Sequence, residues 1–330
     1  MKITLPFLIV STLFAGPEIG IFEKILESSS SFDETVTAFE KALDQSTLTL
    51  HATYNFNESN VNGQKSRLYL FTSPEYKNAA INEQPNTISA QIIRVAIYEY
   101  GAGRNTVINM MNPVAHAMVY YENSKSYSKL LSAANIVSEN IRAIVTNIPG
   151  KVVSVQLPPL RTEKAYNNFN GDGPAKMMTM WKNWEESQDE LFESSSLSLA
   201  VSKIESTLSN SKIGGVDECI GWKIISKIEI GDAVYFGITN DYTENRTTSI
   251  NSDFRSVGKS EDAPLPGIDH TPAHPMEIIV YKDGSNYRAV QYGQMWRMQL
   301  YYWDSGYAAF AKYTMIPGII AGSIEELFNK

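Results

Sequence analysis

Cysteine is almost missing from this sequence: Cys219 is the only one in 330 residues. That excludes an intrachain disulfide framework and a cysteine-rich metal site, so stability must come from packing. Histidine is scarce as well, with four residues. No run of clustered lysine and arginine occurs, and the net charge is -8, which argues against a nucleic-acid partner. After the N-terminal segment, no stretch is apolar enough to cross a membrane, which takes about 20 apolar residues. Complete catalytic motifs are lacking too. There is no Gly-x-Ser-x-Gly elbow, and Cys219 lies in DECIGW beside Asp217 and Glu218, whose charges oppose a reactive thiolate.

What is present fits a globular protein, 43% hydrophobic and 19% charged, long enough for two domains with a core each. The first residues, MKITLPFLIVSTLFAG, carry Lys2 and then an apolar run too short to span a bilayer. Residues 1–20 are read as a signal peptide, although Leu13 stands where a cleavage site prefers a small residue before Ala15. A buried N-terminal strand or helix is the alternative. The expected location is periplasmic or secreted.

Two short stretches resemble each other: MVYYENSKSY (118–127) and QLYYWDSGYAAF (299–310). Around them the same order of elements appears twice. In the first copy, Phe32 to Gln45 reads as a helix with Phe32, Val36, Phe39 and Leu43 on one face and a Ser31/Glu34 capping box. TLTLHATYNF (47–56) alternates as a half-buried strand does, and 91–113 reads as a hairpin around Gly101–Gly103. Asn112-Pro113 announces a further helix, and Ser126 to Val145 is helical. In the second copy, Leu199 to Leu208 is helical, strands fall at 222–230 and 233–238, and 276–292 is a hairpin. Ile279 to Gly284 lies over Ala96 to Gly101, and Tyr301-Tyr302 lies over Tyr120-Tyr121. The fold class expected is α+β, two similar tandem domains at 31–160 and 199–330, each an antiparallel sheet packed by helices. A linker at 161–198 is expected to carry an amphipathic helix from Pro174 with Met177, Trp181, Trp184 and Leu191 on one stripe.

The run RVAIYEYGAGRNTVINMMNP (94–113) resembles the closing hairpin of a bacterial domain-of-unknown-function family, number three hundred and two, with its Arg-Val-x-Val-Tyr-Glu strand, Gly turn and Asn-Pro. LFTSPEYKNAAI (70–81) is similar to that family's Pro-containing helix start. The second copy keeps PMEIIVYKDG (275–284) but has Tyr292-Gly-Gln-Met in place of Asn-Pro. The resemblance covers 33–120 and, more faintly, 199–300. It implies a small α+β domain with a curved antiparallel sheet that often self-associates, and it implies no established reaction.

Candidate sites follow from residue chemistry. DHTPAHP (269–275) gathers Asp269, His270 and His274, types that ligate zinc, copper or iron, and His116 could join them across the duplication. Prolines 272 and 275 make an extended loop the expected conformation. NFNGDG (168–173) has the first oxygen ligands of a calcium loop but Thr179 where its glutamate belongs, so a helix-capping turn explains it equally. SVGKSED (256–262) lacks the first glycine of a phosphate loop, having Asp253 there, and is set aside. Tyr120, Tyr121, Trp296, Tyr301, Tyr302 and Trp303 recur at equivalent places and could wall an inter-domain cleft for a small molecule or protein partner, or cement the two copies. Two readings of function stand side by side: a non-catalytic exported binding protein, and a metal-dependent enzyme using 269–274. No cofactor is named by the sequence, and homo-oligomer formation is left open.

Overall fold

The computed structural model describes residues 16–101, 103–215, 217–255 and 267–329. The first half opens with strand β1 (Ile19–Ser28), then helix α1 (Phe32–Asp44), β2 (Thr49–Asn55), β3 (Ser66–Thr72), α2 (Pro74–Ala79), a 3-10 turn at Pro85–Gln91, β4 (Ile93–Tyr100), β5 (Asn105–Met111), α3 (Pro113–Tyr120), α4 (Tyr127–Val145) and β6 (Gly150–Arg161). After α5 (Glu163–Tyr166) and a 3-10 turn at Gly173–Thr179 comes the second half. It runs β7 (Gln188–Ser194), α6 (Leu197–Ser209), β8 (Lys223–Ile230), β9 (Ala233–Thr239), α7 (Asp241–Arg255), a 3-10 turn at Gly267–Ala273, β10 (Met276–Asp283), β11 (Asn286–Tyr292) and α8 (Gln294–Tyr302), and closes with α9 (Gly306–Tyr313) and α10 (Ile316–Phe328).

Local chemistry sets several of these boundaries. Ser31 accepts from the Glu34 amide while the Glu34 carboxylate accepts from the Ser31 amide, so the capping box starts α1. Asn112 accepts from the Val114 amide at 3.0 Å, with Pro113 at the first helical position, and starts α3. Strand β4 is buried on both faces, which is why its sequence reads as an almost unbroken apolar run.

The first sheet has six strands in the order β2-β3-β4-β5-β1-β6, and the second has five in the order β7-β11-β10-β9-β8, every ladder antiparallel. Matched element by element, β2-β3-β4-β5-β1 and β8-β9-β10-β11-β7 are the same order, with β6 added at one edge of the first sheet. Helices α1 and α4 cover one face of the first sheet, where Phe39 packs on Tyr69 at 4.9 Å. Helices α6 and α10 cover the second, where Phe192 meets Phe328 at 5.3 Å. The opposite faces of the two sheets turn toward each other.

Into this middle layer each half sends its own turn. The 85–91 turn packs on β9 and β10, and the 267–273 turn packs on β3, β4 and β5. The Tyr292 hydroxyl donates to the Asn86 carbonyl at 2.7 Å, and the Asn109 amide to the Asp269 carbonyl at 3.0 Å. The exchange is reciprocal.

Three sequence expectations change. The expected boundaries at 31 and 199 fall after β1 and β7, so each half starts with a strand ahead of its helix. The amphipathic helix from Pro174 is instead a single 3-10 turn, because Met180 and Trp181 adopt positive φ (53° and 57°) and end it, and Leu191 belongs to β7. The segment around Pro272 is a 3-10 turn and not an extended loop. The region 256–262 and most of the expected signal peptide lie outside the described residues. Of that peptide's described residues, 16–20, Ile19 and Gly20 enter β1.

Candidate functional site

The centre of the middle layer is polar. Glu277 on β10 accepts from both the Arg94 and Arg297 guanidiniums and from the Ser89 hydroxyl. All four side chains are buried. Arg94 stands on β4 of the first half, so the ion pair joins the two halves. Register explains the meeting: Arg94 pairs with Leu70 on β3, and Glu277 pairs with Gly237 on β9, one residue after the first ladder pair in each sheet. Arg94 and Glu277 therefore hold equivalent ladder positions in the two sheets. Arg297 also donates to the Ala273 and Pro275 carbonyls, at 2.8 and 3.1 Å, which anchors the 267–273 turn. Burial works against the Arg94 charge, but the Glu277 carboxylate beside it more than offsets this, and the guanidinium stays ionised.

Two histidines border this cluster in neutral form. His116, which sits on α3 where Arg297 sits on α8, meets the Tyr301 hydroxyl at 3.0 Å across the halves. Burial and the Arg94 and Arg297 charges hold its pKa well below the ordinary range. His274 meets the Thr247 hydroxyl at 2.7 Å and the Phe56 ring edge-on at 5.0 Å. The same causes push it down to about 3. His270 is engaged elsewhere, with Asp269 at 2.9 Å on one ring nitrogen and Asp304 at 3.5 Å on the other. The three histidines thus face different partners. Among the described residues no group of three or more His, Cys, Asp or Glu is placed to hold a metal ion.

The six aromatic candidates are brought together in part. Tyr120 packs on Trp184, Tyr292 and Trp296 of the following segment, at 5.2, 5.7 and 6.2 Å. Tyr301 reaches back to His116 and Phe22, both at 6.0 Å. Tyr302 stacks on His270 at 5.5 Å, and Tyr121 meets Tyr76 at 6.4 Å. These rings are buried and joined to one another, which is cement and not an open cleft. Trp303 stands apart, against Tyr307 and Phe310.

The loop with calcium-like spacing is an internal clamp. Arg161 holds the Asp172 carboxylate at 2.5 Å and donates to the Gln299 and Leu300 carbonyls, tying β6 to α8. The Cys219 thiol is buried, and burial pushes its pKa up against the opposing bonds from Ser323 and Asn240.

Sequence reasoning missed the charged centre, yet a signal existed. Extending the overlay of 96–101 on 279–284 by two residues puts Arg94 over Glu277, opposite charges each directly before an apolar run, Val95–Ile97 and Ile278–Val280. It missed Glu244 as well. That carboxylate, on α7, is fully buried and accepts from Tyr54, Asn60 and the Asn57 amide of the first half at 2.6, 3.1 and 3.3 Å.

One open feature lies at the rim of the joint. A groove of about 300 Å³ is framed by the 173–180 turn, the start of α8 and the start of α10, with Met178, Met180, Met295, Trp296, Met315 and Gly318 in its walls.

The fold and site define an α+β protein of two like-ordered sheets joined through a buried ionic centre. Residues 24–148 match the family model described as Domain of unknown function DUF302. Among solved structures, an uncharacterized conserved DUF302 protein from Bacillus stearothermophilus is similar at 15% identity over 39% of this chain and 98% of that one, with a TM-score of 0.33. No curated protein matches the chain. Among the described residues no helix is long and apolar enough to cross a membrane.

Proposed function

We propose that the chain is a tandem duplication of one α+β unit, exported, and acting as a non-catalytic binding protein whose ligand sits in the rim groove. The identical strand order of the two sheets and the reciprocal turns support the duplication. The apolar N-terminal run supports export: a cut after Ala15 leaves β1, which starts at Ile19, intact. The rings themselves fill the space between the aromatic pairs, so this reading assigns the ligand to the groove beside the joint. The observation that carries the binding reading is the groove itself, which has Trp296 of the aromatic set in its wall and volume for a small molecule or ion.

Gly318 gives a clean test. It lines the groove, and a Cβ built there meets nothing within 4 Å. Gly318→Phe should fill the groove without disturbing the core. Native mass spectrometry of protein from its own host should show a bound species that is lost in Gly318→Phe at an unchanged unfolding midpoint. A species that survives the substitution, or no bound species at all, would overturn the reading.

A further inference from the structure

Four methionines are exposed among the described residues: Met177, Met178, Met180 and Met315. Three of them line the rim groove, the fourth is the neighbour of Met178, and partly buried Met295 completes the wall. The concentration is uneven. The remaining described methionines, Met110, Met111, Met118, Met276 and Met298, are all in the core. A groove made only to be apolar could be built from leucine or isoleucine, and here the exposed lining is thioether.

Backbone strain points the same way. Met180 follows the 173–179 turn with φ of 53°, a left-handed position that glycine or asparagine occupies at ordinary helix ends. The turn is closed by the Met180 amide on the Met177 carbonyl at 3.2 Å and the Trp181 amide on the Lys176 carbonyl at 3.0 Å. A long side chain is kept where the backbone would favour none, and such outliers gather at ligand sites.

We infer that this groove binds a soft monovalent cation, Cu(I), through the Met178, Met180 and Met315 thioethers with Met295 as a fourth donor. The inference rests on the groove reading above. Thioethers are neutral and soft, they need no deprotonation, and they select Cu(I) over the hard divalent ions. Cu(I) accepts two to four sulfur donors, which suits flexible side chains around an open groove. The groove wall holds one charge of each sign, Lys182 and Asp189, so the thioethers and not the local charge carry the selectivity.

The test is an anaerobic titration of the full chain with Cu(I) against a colorimetric Cu(I) chelator, repeated with Ag(I) as a redox-inert probe. One equivalent should move from chelator to protein, and Ag(I) should shift the methyl resonances of Met178, Met180 and Met315 but not those of Met110 or Met118. The variant Met178→Leu/Met180→Leu/Met315→Leu keeps volume and apolarity and should lose affinity on the order of 100-fold. Equal binding by that variant, or no uptake by the wild type, would overturn the inference. The two readings separate cleanly. A native ligand lost in Gly318→Phe but kept in the leucine variant retains the groove and removes copper, and one kept in both removes the groove.

Discussion

Replacing Glu277 by glutamine perturbs the joint between the halves at its most sensitive atom pair. The wild-type centre holds two guanidiniums and one carboxylate, with side chains 0% (Arg94), 4% (Arg297) and 0% (Glu277) exposed. Glutamine keeps the shape and one acceptor but leaves two buried cations with no counter-charge. Removing one partner of such a cluster costs about 3–5 kcal/mol, a large share of the ~5–15 kcal/mol by which domains are stable. For 330 residues the unfolding entropy is about 0.7 kcal/mol/K, so a loss of ~4 kcal/mol lowers Tm by roughly 6 °C. Urea unfolding followed by far-ultraviolet circular dichroism and by tryptophan fluorescence, with calorimetry, reads both quantities. A control replaces all three charges by apolar residues (Arg94→Met, Glu277→Leu, Arg297→Met) and should return stability to within about 1–2 kcal/mol of wild type or above it. A Glu277→Gln variant within about 1 kcal/mol of wild type would refute the argument, because that is the scale of an ordinary surface change.

Acid should act through the neutral histidines. His274 is pushed from its ordinary 6.5 down to about 3 by burial and by Arg297 and Arg94, so the unfolded chain binds the proton that the folded chain refuses. Its contribution is complete above pH 6.5 and is lost progressively as pH falls toward 3, by about 2 kcal/mol at pH 5. His274→Gln, with the residue type that Gln91 supplies at the equivalent place, should flatten the stability curve between pH 6.5 and 5, measured by urea titrations at each pH, and an unchanged slope would contradict this. Gly171→Ala should destabilise by about 1–3 kcal/mol in the same assay. Gly171 has φ of +110°, and its new Cβ would stand 2.2 Å from the Gln299 side-chain oxygen. A neutral result would show that the Arg161 clamp tolerates rearrangement.

Much of the fold is written locally. The capping box at Ser31, the Asn112-Pro113 start and the Gly turns of both hairpins act within a few residues, and each marks its element correctly in the sequence. Elements defined by distant partners are not visible in this way. Strand β1 lies between β5 and β6, and its burial on both faces removes the alternation that marks a strand. Strand β7, QDELFES, is polar because it forms one edge of the second sheet, and it reads as linker for that reason. The helix expected from Pro174 has the correct periodicity, but the left-handed turn at Met180 and Trp181 overrides it. The site divides similarly. Histidines and paired tyrosines attract notice by type, and they prove to be packing partners of the joint. Arg94 and Glu277 look like ordinary charges until the two hairpins are overlaid at that register, because their meaning lies in each other.

The central claim is that the two halves are one cooperative body held through that charged joint. Native-state hydrogen exchange on the intact chain tests it most directly, by comparing the opening free energies of β4 and β10 in wild type and in Glu277→Gln. The account predicts equal values for the two strands and an equal fall of about 3–5 kcal/mol in both, although the substitution lies on β10 alone. Protection lost in β10 with β4 unchanged would contradict it.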